Sequence, residues 1–280
     1  MNQTFSFARW QLLVAKHWVE NRKRYGLSLL AIGGLLVGWY CFILTMDKLD
    51  PLGVFFQYTA YFGGLYFVGS LFASTLFSEL QDKTTGISYL SLPASQLEKL
   101  LCALLFGVFL FFIAFTLLFY LVDIPMVQLS NRLIEAYPRT WPGTNQLVPP
   151  LAVYNIFTGK AGAGPEAEYH VFLLGFFAIQ SVFLLGSVYF RRYSFIKTTV
   201  VLLLFLFILI GFVTKIITHA LPSGWDNDLL QWGQFEAPWV KVKEVRLPAW
   251  IEGSLVFLMQ YGLPLVFWII TYFRLKEKEV

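Results

Sequence analysis

Charge, histidine and cysteine are all scarce in this chain, and each scarcity removes a class of function. Only 14% of its 280 residues are Asp, Glu, Lys or Arg, against about 25% in a soluble domain, so its surface is not one that faces water throughout. The three histidines, His17, His170 and His219, fall where apolar runs meet polar sequence. No HExxH pattern occurs and no apolar run holds paired carboxylates, which leaves no zinc hydrolase and no acid–base pair to argue from. The two cysteines, Cys41 and Cys102, lie in different apolar runs near opposite ends of the expected topology, so a disulfide and a clustered metal site are both disfavoured. They read as small apolar fillers. Ser187, Ser223 and Ser254 lack a histidine at matching depth on a neighbouring run, as a serine nucleophile requires. A phosphate cradle is also missing: "TGKAGAG" at Thr158 lacks the first glycine of a P-loop and the Ser or Thr after its lysine. The chain is therefore expected not to be an enzyme, and to carry no metal and no cofactor of its own.

What is abundant is apolar sequence. Hydrophobic residues make up 57% of the chain and the mean hydropathy is +0.63. Crossing a bilayer takes roughly 20 apolar residues at about 1.5 Å of helical rise each, and six runs meet that length, at about 25–44, 52–77, 100–122, 171–190, 198–218 and 253–273. None alternates between lipid and lumen faces as a barrel strand must. The expected fold is all-α and integral to the membrane, with six transmembrane helices.

Lys and Arg set the orientation, because short loops rich in them stay in the cytoplasm. Thirteen cations fall on the side that holds both ends of the chain and the linkers after the second and fourth runs, against seven on the other side's longer loops. Both termini are expected in the cytoplasm. The +4 net charge is thus a topology signal. It gives no reason to expect a nucleic-acid partner, since the cations gather on no one soluble face.

Residues 1–24 are too long and too charged for a secretory leader. At helical spacing Phe7, Trp10, Val14 and Trp18 share one face while Arg9, Lys16 and Glu20 lie elsewhere, which predicts an amphipathic helix in the headgroup plane ahead of the first span. Packing of this helix against soluble protein is the other reading of the same pattern.

Two outer loops, 123–170 and 219–252, are long and rich in Pro, Gly and Trp. They either lid the helices or form a gate or partner site. Met126, Leu129, Leu133 and Ile134 predict a short interfacial helix within the first. Inside the spans the main polar residues are Gln57, Gln180 and Gln260, candidates either for helix-to-helix hydrogen bonds or for lining a substrate path. Lys215 lies close enough to a span end to snorkel.

The densest polar sequence is the cytoplasmic segment 78–99. Asp82, Lys83, Thr84, Thr85 and Gly86 are expected to break the second helix after Glu79. "GISYLSL" then forms a short helical piece ended by Pro93. Ser95 and Glu98 are three apart, as a capping box that starts the third span requires. A plain linker could be far shorter.

At these residues the chain resembles the ABC-2 type permeases, the membrane subunits of one class of ATP-binding cassette transporter. Glu79, Gly86, "YLSL", Leu92, Pro93 and Ser95 follow that family's pattern after the second span, and the six spans and the amphipathic start are similar. The outer loops are longer than in the simplest members. The resemblance implies a coupling helix that docks on a cytoplasmic ABC ATPase through Glu79, Asp82, Lys83, Thr84, Thr85, Gly86, Ile87 and Tyr89, with Pro93 and Ser95 setting its exit angle. It implies a permease subunit, an exporter by expectation, working as a dimer with a second copy or a paralogue in membrane lipid, with ATP and Mg in the partner. The alternative is a membrane scaffold or accessory subunit that binds a partner through its outer loops.

Overall fold

The computed structural model describes residues 5–46, 52–80, 83–138, 147, 149–156, 169–220, 254 and 257–278, and every regular element among them is helical. Helix α1 spans Phe7–Met46, α2 Val54–Thr75, α3 Lys83–Leu90, α4 Gln96–Leu104, α5 Phe111–Ala136, α6 Tyr169–Tyr189, α7 Ser194–Ala220 and α8 Leu263–Glu277. A 3-10 turn covers Ser78–Leu80, and π-helical segments at Leu105–Leu110 and Leu258–Gly262 lead into α5 and α8.

Four helical stretches are long and apolar enough to cross a membrane: Phe7–Met46, Gln96–Ala136, Val171–Tyr189 and Ser194–Phe212. They coincide with four of the six expected runs. Helix α2 lies on the second run, but Gln57 and several Tyr, Gly, Ser and Thr residues dilute its apolar character. The sixth run is described continuously only from Phe257.

The boundary expected near residue 24 is not a helix break. α1 is one helix of 40 residues, about 60 Å long and about twice the thickness of a hydrocarbon core. No Gly or Pro occurs between Phe7 and Tyr25 to interrupt it. Its protein-facing stripe is also continuous: Trp10, Val14, His17, Asn21, Tyr25, Leu29, Ile32, Leu36 and Tyr40 are all at least half-buried, at steps of three or four residues. Trp10 and Val14 therefore face the protein, whereas Phe7 and Trp18, expected on the same face, are exposed.

Helix α6 is central, packing against α2, α7 and α8, while α1 lies along α4 and α5. Between membrane helices there is little hydrophobic drive, because lipid is as apolar as Leu; close van der Waals packing does the work and small residues permit it. A Cβ on Gly69 of α2 would meet the Phe176 ring of α6 at 2.9 Å. On α6, Gly186 abuts Thr198 of α7 just as closely. The reversal between α6 and α7 is equally tight and holds Tyr193 at φ 54°, a left-handed conformation that a side chain of this size seldom adopts.

At the end of the bundle away from α3, the outer loop expected from residue 123 begins later. α5 continues through Pro125 to Ala136, so Met126–Ile134 extends the span and forms no separate helix. Val127, Ser130 and Ile134 turn inward, and Leu129 and Leu133 are exposed. Beyond it, residues 149–156 form an irregular strap whose backbone is held by side chains. Asn131 donates to the carbonyl of Leu151 at 2.9 Å and accepts its N–H at 2.8 Å. Gln57 donates to the carbonyl of Ala152 at 3.0 Å and accepts the N–H of Tyr154 at 2.6 Å. The Tyr120 hydroxyl donates to the carbonyl of Tyr154 and accepts the N–H of Ile156. A carboxamide offers one donor face and one acceptor face, so it stands in for a neighbouring strand. Tyr154 and Ile156 are buried while Asn155 between them is exposed, the alternation of an extended chain.

Candidate functional site

The segment joining α2 to α4 is ordered by local capping and by one long-range tie. α2 stops at Thr75, the chain turns through Ser78–Leu80, and α3 begins at Lys83. The Thr85 hydroxyl donates to the carbonyl of Glu79 at 2.8 Å, fastening the start of α3 to that turn. α3 ends at Leu90, with Ser91 donating back to Ile87, and Pro93 lies in the exposed turn that follows.

Ser95 then caps α4 through the expected box. Its hydroxyl accepts the N–H of Glu98 at 3.2 Å, and the Glu98 carboxylate accepts the N–H of Ser95 at 2.8 Å. The same carboxylate, fully buried, also accepts the N–H of Ser6 at 2.7 Å and a guanidinium N–H of Arg9 at 3.2 Å. Glu98 therefore sits at the N-termini of two helices, α1 and α4, where a negative charge is favoured by the unpaired N–H groups and the helix dipole.

Tyr89 faces inward, edge-on to Phe77 at 6.4 Å between ring centroids, with the buried Lys99 ammonium 5.5 Å over its ring. Such a cation–π contact gains when desolvated. Gly86 is also buried and lies inside α3, not in a break before it. A Cβ there would meet the Glu79 carbonyl oxygen at 3.6 Å, an ordinary contact. Thr85, Ile87 and Ser88 face outward, and Ile87 is 69% exposed. Lys83 and Thr84 belong to α3, with side chains outside the described set; Asp82 lies outside the described residues.

Between α3 and the N-terminal turns of α1 is an open cavity of 480 Å³ walled in part by Lys16, Glu20, Asn21, Glu79 and Ser88. Partial burial raises the Glu79 carboxyl above its usual range, Glu20 pushes it the same way, and Lys16 opposes them. Lys16 and Glu20 pair at 3.9 Å on the exposed helix surface, an arrangement worth little in water.

The glutamines separate. Gln57 is saturated by the strap and by the carbonyl of Leu52, so its amide serves the fold. Gln180 is fully buried on α6 against Gly69 and, among the described residues, makes no hydrogen bond through either amide atom. Gln260 lies in the π-helical segment before α8, its side chain outside the described set. The loop 219–252 lies almost wholly outside the described residues, as does "TGKAGAG".

Several groups escaped the sequence reading. Asp123, expected at a loop start, is fully buried in α5 and accepts the Tyr40 hydroxyl at 2.7 Å. An acid just before a helical proline at the end of an apolar run was the available signal. His17 is half-buried, hydrogen-bonded to the Tyr25 hydroxyl at 2.6 Å and tilted against the Phe106 ring at 4.6 Å between centroids. The Ser187 hydroxyl donates to Leu184 in its own helix. Among the described residues no three potential metal ligands cluster, and Cys41 and Cys102 are both free thiols.

The arrangement is mechanical: a short helix with one locked face and one open face, joined by a few residues to two long helices. Comparison with family models, curated proteins and solved structures finds no match. The fold itself defines a helical membrane protein, with four helices able to cross a bilayer and apolar side chains such as Leu203, Phe207 and Ile210 of α7 turned outward, a surface suited to lipid.

Proposed function

We propose that the chain is the membrane-spanning permease subunit of an ATP-driven transporter of the ABC-2 type, an exporter, and that α3 is the element through which a separate cytoplasmic ATPase drives it. The observation that carries this reading is the mounting of α3. Tyr89 is locked against Phe77 and Lys99, while Ile87 stands out at 69% exposure. A short helix held this way passes a push on Ile87 to α2 and α4 without a flexible arm, and an exposed Ile is a natural knob for a groove on a partner. On this reading the six runs are six spans, both termini and α3 are cytoplasmic, and the chain sits in a bacterial inner membrane. Two permease subunits make one pathway, and ATP and Mg bind the partner.

Affinity purification of the full chain from its native membranes, with mass spectrometry of co-purifying proteins, tests this. An ATPase carrying Walker motifs is expected with the parent chain and reduced at least tenfold with Ile87→Asp, while the thermal midpoint of the purified variant stays unchanged because Ile87 packs against little. Absence of any ATPase, or equal recovery with the variant, sinks the proposal in favour of a scaffold or accessory subunit.

A further inference from the structure

A second feature lies on the flank of the bundle, between α1, α2 and the π-helical entry to α5. There a laterally open groove of 640 Å³ is lined almost wholly by apolar side chains, among them Trp18, Tyr25, Phe72, Phe106 and Leu117. The π-helical turn helps to make it: the Phe111 N–H reaches back five residues to the carbonyl of Phe106, and the widened turn sets Phe106 under His17 and Tyr25. Along α1 the lining is small, with Gly26, Ser28 and Ala31 leaving the space open. At the groove's α3-side end it is cationic, with Arg22 and Arg24 both lining it and neither in an ion pair among the described residues. Lys23 lies between them in sequence.

We infer that this groove holds one anionic glycerophospholipid of the leaflet on the α3 side, an acyl chain along the apolar wall and the phosphate at Arg22 and Arg24. Charge complementarity selects the occupant: a slot with an apolar length and a doubly cationic end matches an amphiphile with a negative head. The groove opens sideways toward the bilayer along an apolar wall, so an acyl chain can enter it laterally from lipid. Juxtamembrane cations attract anionic lipid by about 1 kcal/mol each, which is a factor of about five per arginine. The inference rests on the membrane reading of α1 and α5 and not on the transport proposal, so failure to capture an ATPase leaves it untouched.

The test is fluorescence quenching of Trp18 by brominated lipids in vesicles containing the full chain. Phosphatidylglycerol or phosphatidylcholine carries the bromine in turn, and Trp18→Phe isolates that residue's signal. Brominated phosphatidylglycerol is expected to quench Trp18 at a mole fraction well below that needed for brominated phosphatidylcholine. Arg22→Gln with Arg24→Gln should cut this preference about 25-fold. Gly26→Leu should abolish it while keeping both arginines, because a Cβ at Gly26 meets nothing within 4 Å and the longer side chain fills the groove without strain; an unchanged thermal midpoint confirms the fold. Equal quenching by the two lipids in the parent chain overturns the inference. So does a preference that survives Gly26→Leu, which would assign it to surface charge alone. Loss of quenching by both lipids together with dimer formation would place a second copy over Trp18, and also overturns it.

Discussion

The two ends of the helical bundle are fastened by different chemistry. Near α3 a buried carboxylate, Glu98, gathers the N–H groups of Ser6 and Ser95 and the Arg9 guanidinium. At the opposite end three neutral side chains, Gln57, Asn131 and Tyr120, hold the strap 149–156. Hydrogen bonds to a charged group are individually stronger, but a carboxylate tie depends on its charge and concentrates several partners on one residue. The neutral ties are weaker singly and spread over three residues, and nothing in them titrates near neutrality. Glu98 is a single point of control at one end, while the strap at the other is held redundantly, beside a separate buried pair of Tyr40 and Asp123.

Glu98→Ala is the sharpest way to break that contrast. It leaves the N–H groups of Ser6 and Ser95 without their acceptor and removes the charge beside Arg9, at a cost on the order of 3–5 kcal/mol. Thermal unfolding of the detergent-solubilised chain should fall accordingly, and Glu98→Gln, which keeps an acceptor, should fall less. A cost below 1 kcal/mol for the alanine variant would mean that the α3 end is held by packing alone.

Gln57→Ala should cost less, about 2 kcal/mol, since it strands the Tyr154 N–H and the Ala152 carbonyl while Asn131 and Tyr120 keep their contacts. Amide exchange should quicken in 151–156 and leave α3 unchanged. If α3 loosens as well, the two ends are coupled and the separation drawn between them fails.

Within the α3 end, Tyr89→Ala should cost about 1–2 kcal/mol by removing the Phe77 contact and uncovering Lys99. Ile87→Ala, on the open face, should stay within about 0.5 kcal/mol. Equal costs for the pair would show that α3 has no locked face.

The smallest effect concerns Glu79. Its carboxyl is raised by partial burial and by Glu20, against Lys16, so the fold favours the protonated acid. That stability is present below the unfolded value of 4.5 and is lost as pH rises through the higher folded value. Glu79→Gln should flatten this part of the pH–stability profile and stabilise the chain slightly at pH 7. Much of the Glu79 side chain still meets solvent, so the change is small; a slope unaltered by the substitution would remove Glu79 from the electrostatics of that end.

Much of the α3 end was legible. Ser95 and Glu98 are three residues apart, and a capping box needs nothing beyond that spacing, so the start of α4 could be read directly. Gly86 misled, because an isolated glycine signals a break, yet inside α3 its cost of about 1 kcal/mol is offset by the Thr85 tie and the packing of Tyr89. The strap was illegible: Gln57 and Tyr154 are 97 residues apart, and no local pattern announces a side chain that replaces a strand. The π-helical turn before α5 was hidden too, since it follows from how Phe106 and Phe111 pack and not from any residue preference.

By itself the sequence determined the solvent of this protein and where its apolar helical runs lie, because apolar run length and the 3.6-residue repeat act within a few turns of chain. The cap on α4 belongs to the same class. Only the tertiary structure decided that α1 runs unbroken from Phe7 to Met46 with one inward stripe, that Glu98 serves two helices, that Asp123 is buried against Tyr40, and that Arg22 and Arg24 overlook an apolar groove. Each of these needs partners brought together from distant parts of the chain, and a hydrogen bond or a cavity is defined by what meets in space.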